Sequence, residues 1–409
     1  MKHLLVAHTF PPRVGGREAY LYNLFSQFDP TEVMTLTPDR EGNWQEFDYQ
    51  SVMRIRRIRQ EELYWFLQGR RRRLRWFITL AELCLRERVG VVHCGVVLPD
   101  GMSGWLLKKV LGWPYIIYTY AKEITQTLSM ERLYRDRRQV LVEADRVVTI
   151  SRYTRQELTR MGVDPARIVI VYPGVDTARF RLDLEAGRRI RALYNLEKRP
   201  VLLTVARLVP RKGHDRVIEA LPTVLQRVPE AVYVIVGSGP DEERLRRLAE
   251  SQGVKDRVIF AGAVSDKDLP AWYNAADLLV MPNREEEGDV EGFGIVFLEA
   301  NACGKPVIGG RSGGTVDAVI DGETGYLVSP CDPEDIAEAA IRLLTDLTLA
   351  RRMGERGRER VQKDFSWRRA ARQVQDLTAE VVAATEEKRS LWAYPTRIAH
   401  SCRFFLQRL

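Results

Sequence analysis

The sequence predicts an α/β protein made of two open parallel-sheet domains, and three features of the chain predict it. Short apolar runs at 4–8, 91–93, 115–118, 147–150 and 168–171 alternate with amphipathic helical stretches such as 18–28 and 132–144. A second train of the same kind starts at 201. The length, 409 residues, suffices for two domains of ordinary size, each with its own core. Strands that read as unbroken apolar runs are buried on both faces, so helices must cover both sides of the sheet, the arrangement of parallel sheets.

Taken in order, the first domain spans 1–190. Its first strand, at 4–8, runs into Pro11-Pro12 and Gly15-Gly16, residues that turn a chain sharply before a helix. Strands and helices then alternate to 171. After Asp176 a polar, arginine-rich connection leads to the second domain, 195–365. There strands at 201–206, 232–237, 258–260, 278–281 and 306–308 are separated by helices such as 216–226 and 242–252. A third segment, 366–409, is helical to about Lys388, and its tail mixes Trp392, Tyr394, Phe404 and Phe405 with Arg397, Arg403 and Arg408. Each α/β half reads as Rossmann-like, and such sheets bind ligands beyond the carboxyl ends of their strands. Two of them facing each other make a cleft.

Composition narrows the function. An apolar fraction of 45% and a charged fraction of 29% are those of a soluble globular protein. The cysteines Cys84, Cys94, Cys303, Cys331 and Cys402 form no CxxC pair and are odd in number, which points to a reducing, cytoplasmic setting. The histidines His3, His8, His93, His214 and His400 lack metal-ligand spacing, so no metal cofactor is expected. The N-terminal apolar run is interrupted by Pro11-Pro12, unlike a secretory signal, and no uncharged apolar run is long enough to span a bilayer.

Nearly all of the net charge of +8 is local, because eleven arginines oppose four glutamates between Arg54 and Arg88. Within this segment, 64–77 sets Tyr64, Trp65, Phe66, Trp76 and Phe77 beside the arginine cluster 70–73. That composition suits peripheral contact with an anionic membrane, or equally a helix packed on the sheet with a solvated basic edge. Nucleic acid is not expected as a partner.

The most informative element is Glu291-Gly-Phe-Gly-Ile-Val-Phe-Leu-Glu299. A helix over 294–303 places Glu299 inside it and Glu291 just before its start, roughly 12 Å apart at 1.5 Å per residue. That is the length of a sugar-diphosphate-ribose unit. The free N–H groups of the helix start, around Phe293, Gly294 and Ile295, face an anion, and Gly292 and Gly294 let it approach closely. The ligand this pattern predicts is a diphosphate with a hydroxylated group at each end, as in a nucleotide sugar.

Three motifs in order then carry a family resemblance. Tyr172-Pro173-Gly174-Val175-Asp176, Val205-Ala206-Arg207-Leu208-Val209-Pro210-Arg211-Lys212-Gly213, and the run from Glu291 through Ser312-Gly313-Gly314 to Asp321-Gly322-Glu323-Thr324-Gly325 together resemble the retaining GT-B glycosyltransferases of family 4. The resemblance implies a GT-B fold with an interdomain cleft, a nucleotide-sugar donor in the second domain, a lipid or glycan acceptor at the first, and C-terminal helices that return to the first domain. It implies that Glu291 binds hydroxyls of the transferred sugar and Glu299 the ribose diol. Arg207 and Lys212 become the diphosphate ligands, Gly15 and Gly16 offer backbone N–H groups to the distal phosphate, and Val264, with Asp266, lines the base. Arg211 is expected to face solvent.

One position departs from the family. Many members place a histidine in a His-Gly-x-Glu/Asp motif after the fifth strand, where this chain has Thr119-Tyr120-Ala121-Lys122-Glu123, so Tyr120 stands in its place. The charged stretch 284–290, a solvated loop, together with the run that follows it is similar to mannosyltransferases that build phosphatidylinositol mannosides. The expected activity is therefore retaining hexosyl transfer without a metal, with GDP-mannose as the favoured donor. A UDP-sugar used on a soluble or polysaccharide acceptor, and a non-catalytic nucleotide-sugar-binding scaffold, remain as alternatives.

Overall fold

The computed structural model describes residues 1–13, 15–39, 42–59, 70–125 and 131–391. They form two compact units, the first comprising Met1–Pro173 together with the chain from Trp367, the second Gly174–Ser366.

The first unit is built on seven parallel strands: β1 (Lys2–Val6), β2 (Val33–Pro38), β3 (Arg54–Ile58), β4 (Val89–Cys94), β5 (Tyr115–Thr119), β6 (Arg146–Thr149) and β7 (Ile168–Ile170). Their order is β3-β2-β1-β4-β5-β6-β7. The chain adds strands to one side of β1, then crosses back to add β4 on the other, so the loops after β1 and β4 diverge and leave a crevice between them. Leu4, Val6, Val92, Ile117 and Val147 are buried at the centre of this sheet.

Strands β2 and β3 escape a search for apolar runs. Thr35 and Thr37 interrupt β2, and three of the five residues of β3 are arginines. β3 is an edge strand on which Arg54 and Arg56 are exposed, and charge on an edge discourages pairing with other chains. Arg57 is instead buried at its guanidinium, bonded to Asp48 at 2.6 and 2.9 Å and to the carbonyl oxygens of Pro11 and Pro38 at 2.7 and 3.2 Å.

Of the basic aromatic segment, 64–69 lies outside the described residues, as does the aromatic tail from Trp392. The described part begins a helix, Arg70–Glu87. Trp76 and Phe77 are buried in the core of the first unit, and Trp76 Nε1 donates to Ser103 Oγ at 3.1 Å. These two rings therefore cannot rest on a bilayer. They complete the apolar face of an amphipathic helix whose other face carries the charge.

The second unit has six parallel strands: β8 (Val201–Val205), β9 (Val232–Val236), β10 (Val258–Gly262), β11 (Leu278–Met281), β12 (Val307–Gly310) and β13 (Gly325–Val328). The order β10-β9-β8-β11-β12-β13 puts the switch point between β8 and β11. The arginine-rich stretch read as a connection contains a helix, Leu184–Leu193. Asp183 caps it by accepting from the Ala186 N–H at 2.9 Å, and Arg191 ties it to Asp277 at 2.7 Å. Charges that look solvated in sequence are here the anchors of a packed helix.

Among the described residues, no helix is long and apolar enough to cross a membrane.

Candidate active site

In the second unit the chain leaves β8 and enters the helix His214–Arg227 through a short 3-10 turn, Pro210–Lys212. Gly213 closes that turn at φ +75°, and a Cβ there would lie 2.3 Å from the carbonyl oxygen of Pro282. Only glycine lets the turn approach the segment that leaves β11 so closely. Arg284 fastens the two together. Its backbone N–H donates to the Arg211 carbonyl at 2.9 Å, and its guanidinium grips Asp215 at 2.9 and 3.0 Å.

This frame brings two cations onto one carboxylate. Arg211 Nη1 donates to Glu291 Oε2 at 2.8 Å, and Lys212 Nζ donates to the same oxygen. Arg211 Nε also lies 3.4 Å from Asp289. Burial by itself would raise the Glu291 pKa, but Lys212 and Arg211 outweigh it and hold the carboxyl at about 2. Burial likewise lowers the Lys212 pKa, with Glu291 opposing. The Glu291 backbone is fixed as well: its carbonyl accepts from the Gly314 N–H at 2.8 Å, and a Cβ on Gly313 would meet that oxygen at 2.4 Å.

The expectation that Arg211 faces solvent is corrected here. Its partners Asp289 and Glu291 follow β11, some eighty residues on in the chain, and only the pairing of β8 with β11 makes them neighbours.

Arg207 is exposed, and its guanidinium has no hydrogen-bond or ion-pair partner among the described residues. Its backbone is held by His214, whose Nε2–H donates to the Arg207 carbonyl at 3.4 Å while Nδ1 accepts from the Tyr233 hydroxyl at 3.2 Å. Thus Arg207 has a fixed base and a side chain available to an anion.

Glu299 sits within the helix Ile295–Ala302, which begins after Gly294 at φ +91°. Its Oε2 accepts from the Tyr273 hydroxyl at 2.6 Å. Burial raises its pKa to about 7, against the opposing influence of Tyr273 and Arg179. Arg179 also donates to the Asp266 carbonyl. Val264 is half-buried in the loop leaving β10, and Asp266 is exposed. Gly292 and Ile295 are half-buried, and Phe293 is buried with its ring 6.0 Å from that of Phe365.

The remaining residues singled out in the sequence lie in the first unit. Gly15 precedes the helix Gly16–Phe25 and Gly16 is its first residue. Tyr120 follows β5. Its hydroxyl is buried without a hydrogen-bond partner among the described residues, and its ring meets Tyr20 edge-on at 5.7 Å.

The structure therefore brings Arg211, Lys212 and Glu291 into direct contact, with Glu299 on the helix that follows. Arg284, Asp215, His214 and Tyr273 complete the frame and were not legible as site residues. Asp215, Arg284 and Tyr273 act through partners 26 to 69 residues away, His214 bridges the Arg207 carbonyl to Tyr233, and no local motif marks them. Chemically, an available arginine five residues before a lysine that shares a carboxylate with Arg211 suits a diphosphate, and partly buried carboxylates suit hydroxyl groups. Among the described residues, no group of three or more His, Cys, Asp or Glu side chains is placed to hold a metal ion.

Comparison with known proteins agrees with this chemistry. Residues 188–360 match the family model described as glycosyl transferases group 1, and residues 14–179 match glycosyltransferase family 4. The chain is 35% identical, over 91% of its length and 97% of the relative's, to a GDP-mannose-dependent alpha-(1-6)-phosphatidylinositol monomannoside mannosyltransferase of Mycolicibacterium smegmatis. It is 32% identical, over 90% and 94%, to the Corynebacterium glutamicum enzyme described as acting on the monoacylated form of that lipid. Among solved structures, Anabaena HepE in complex with UDP shares the fold at a TM-score of 0.80 and 18% identity, covering 93% of this chain and 100% of that one.

Proposed function

Because the chain belongs to the family 4 (group 1) glycosyltransferases, the retaining enzymes of GT-B fold that transfer a sugar from a nucleotide-sugar donor, we propose that it moves mannose from GDP-mannose to a hydroxyl of a phosphatidylinositol mannoside-type glycolipid. The observation that carries this reading is the likeness across 97% of a relative described as dependent on GDP-mannose and acting on such a lipid.

On this reading Arg207 and Lys212 grip the diphosphate, Glu291 holds hydroxyls of the mannose and Glu299 the ribose diol. The acceptor oxygen bonds to the anomeric carbon on the face from which the diphosphate leaves. The bond between that carbon and the phosphate oxygen breaks with its electron pair, and the acceptor proton passes to the departing diphosphate, so configuration is retained. Cations fixed before the reaction begins stabilise the charge that develops on the leaving group, which supplies most of the acceleration. The local excess of positive charge between Arg54 and Arg88 supports peripheral contact with an anionic membrane on its cytoplasmic side, where a lipid acceptor is presented.

The test is a panel of GDP-, UDP- and ADP-sugars read by thermal shift and nucleotide release, followed by product analysis with phosphatidylinositol mannosides and with soluble glycans. GDP-mannose should give the largest rise in melting temperature and transfer to the lipid. Stabilisation and turnover with a UDP-sugar, and none with GDP-mannose, would overturn the donor assignment.

A further inference from the structure

The charged stretch 284–290 holds a tight hairpin. Glu286 and Asp289 exchange both backbone hydrogen bonds, at 3.0 and 2.8 Å, around a two-residue turn in which Glu287 and Gly288 have φ +50° and +75°. Positive φ at both central positions is the geometry that closes such a turn, and glycine suits the second. Arg284 clamps the base of the hairpin: its backbone N–H donates to the Arg211 carbonyl, and its Nε donates to Glu286 Oε2 at 2.9 Å. Glu285, Glu286 and Glu287 are exposed, whereas Asp289 is half-buried beside Arg211.

The Arg211 guanidinium spans two carboxylates that stand two residues apart in the chain. Its Nε lies 3.4 Å from Asp289 Oδ1, and its Nη1 donates to Glu291 Oε2 at 2.8 Å. Lys212 Nζ donates to that same Oε2. The other oxygen of Glu291, Oε1, bonds to no described residue and is not among the atoms sealed from solvent. Two cations on one oxygen fix the plane of the carboxylate and leave Oε1 as an acceptor for a hydroxyl. The charged groups facing Glu291 are Lys212 and Arg211 from the turn and, behind Arg211, Asp289 from the hairpin; the loop 312–314 meets it through backbone. Without Arg211, burial of Glu291 is opposed by Lys212 alone, so its carboxyl should titrate higher.

We propose that Arg211 is a positioning residue for sugar transfer: braced by Asp289, it holds the Glu291 carboxylate in place with Oε1 presented to the hydroxyls of the transferred sugar. The inference rests on the reading in which Glu291 binds those hydroxyls. It divides the cations of the site by task. Arg207 and Lys212 serve the diphosphate, while Arg211, occupied by two carboxylates, serves the sugar. Asp289 acts through Arg211, and the hairpin sets where Asp289 stands.

The experiment uses the full chain carrying Arg211→Met, Arg211→Lys or Asp289→Ala, with GDP-mannose and a phosphatidylinositol monomannoside in mixed micelles. Arg211→Met should lower kcat at saturating donor roughly tenfold or more, while GDP, which carries no sugar, binds within twofold of wild type by calorimetry. Arg211→Lys keeps the charge and should recover part of that kcat. Asp289→Ala should lower kcat roughly threefold, again without weakening GDP. The carboxyl carbon of Glu291, identified in carbon NMR spectra by its loss in Glu291→Gln, should titrate about one pH unit or more higher in Arg211→Met, a shift that loosened packing elsewhere would not produce. GDP affinity falling in step with kcat would make Arg211 a diphosphate ligand and overturn the proposal. So would a kcat within twofold of wild type in Arg211→Met, or a Glu291 titration that does not move. Absence of transfer by wild type is a failure of the mannosyltransferase reading. The proposal is then decided on Arg211→Met without turnover: unchanged GDP affinity with a raised Glu291 titration upholds it, and failure of either overturns it.

Discussion

Lys212 and Glu291 lie 79 residues apart in the chain and form an ion pair across the switch point of the second sheet, Lys212 following β8 and Glu291 following β11. His8 and Asp100 stand in the equivalent topological places of the first sheet, following β1 and β4. The switch point is where neighbouring loops part, so residues that follow the first and fourth strands of a unit meet at the end of the sheet where such folds bind ligands.

Removing either member of the Lys212–Glu291 pair should give opposite effects on nucleotide binding. Lys212→Ala takes away the cation proposed to grip the diphosphate, and transfer and donor hydrolysis should each fall roughly 100-fold or more, with weaker GDP binding. Glu291→Ala frees Arg211 and Lys212 from their carboxylate, so GDP binding should hold or strengthen while transfer is lost. Calorimetric titration with GDP, beside rates of transfer, separates the two. Wild-type rates in both variants would show that neither residue serves the reaction.

Glu299 imposes a pH dependence. Its pKa is about 7 in the folded chain, above the value near 4.5 expected when unfolded, so between these values the folded form binds more protons. Its contribution is therefore fully present below about pH 4.5 and is lost as pH rises to 7, on the order of 3 kcal/mol. Glu299→Gln should remove that slope, seen as a smaller difference between urea midpoints at pH 5 and pH 7.5 than in wild type. If ionised Glu299 accepts from a ribose diol, GDP affinity should rise across the same window in wild type and stay flat in the variant.

Arg284 and Asp215 form a nearly buried two-point pair, their side chains 11% and 7% exposed. Arg284→Ala leaves Asp215 facing Arg244 alone, at 3.5 Å, and should cost about 3–5 kcal/mol. The double change Arg284→Met with Asp215→Leu should cost less than either single change, since no buried charge is left unpaired: Glu286, which also loses Arg284, is exposed. A denaturant double-mutant cycle reads the coupling directly. Additive losses would mean that the pair does not act as a unit.

Gly213→Ala should destabilise by more than about 1 kcal/mol, because it combines an unfavourable positive φ with a clash against the Pro282 carbonyl. Activity should fall further than stability explains, since Lys212 precedes the strained residue. Rates measured well below the melting temperature, where the variant is fully folded, distinguish the two losses.

Much of the fold was readable because buried parallel strands announce themselves as apolar runs: β1, β4 to β7 and β8 to β12 all coincide with one. β2, β3 and the helix Leu184–Leu193 did not, because polar residues interrupt each of them. Arg57 and Arg191 look solvated until their partners Asp48 and Asp277 are known, and Thr35 and Thr37 break the apolar run although both are buried. In the candidate site, spacing and motif single out Glu291, Glu299, Arg207 and Lys212, and the structure puts Lys212 in contact with Glu291. Arg211 was misplaced, and Asp215, His214, Tyr273 and Arg284 were missed, because what defines them is a contact made only after the sheet assembles.

Periodicity and motif order by themselves determined the class of the fold and the family, since each depends on neighbours within a few turns of chain. The tertiary structure alone decided that Trp76 and Phe77 belong to the core, that Arg211 shares Glu291 with Lys212, and that His8 is backed by Asp100. These are encounters between loops leaving different strands or between a helix and a sheet. Strand order creates them, and no stretch of local sequence encodes strand order.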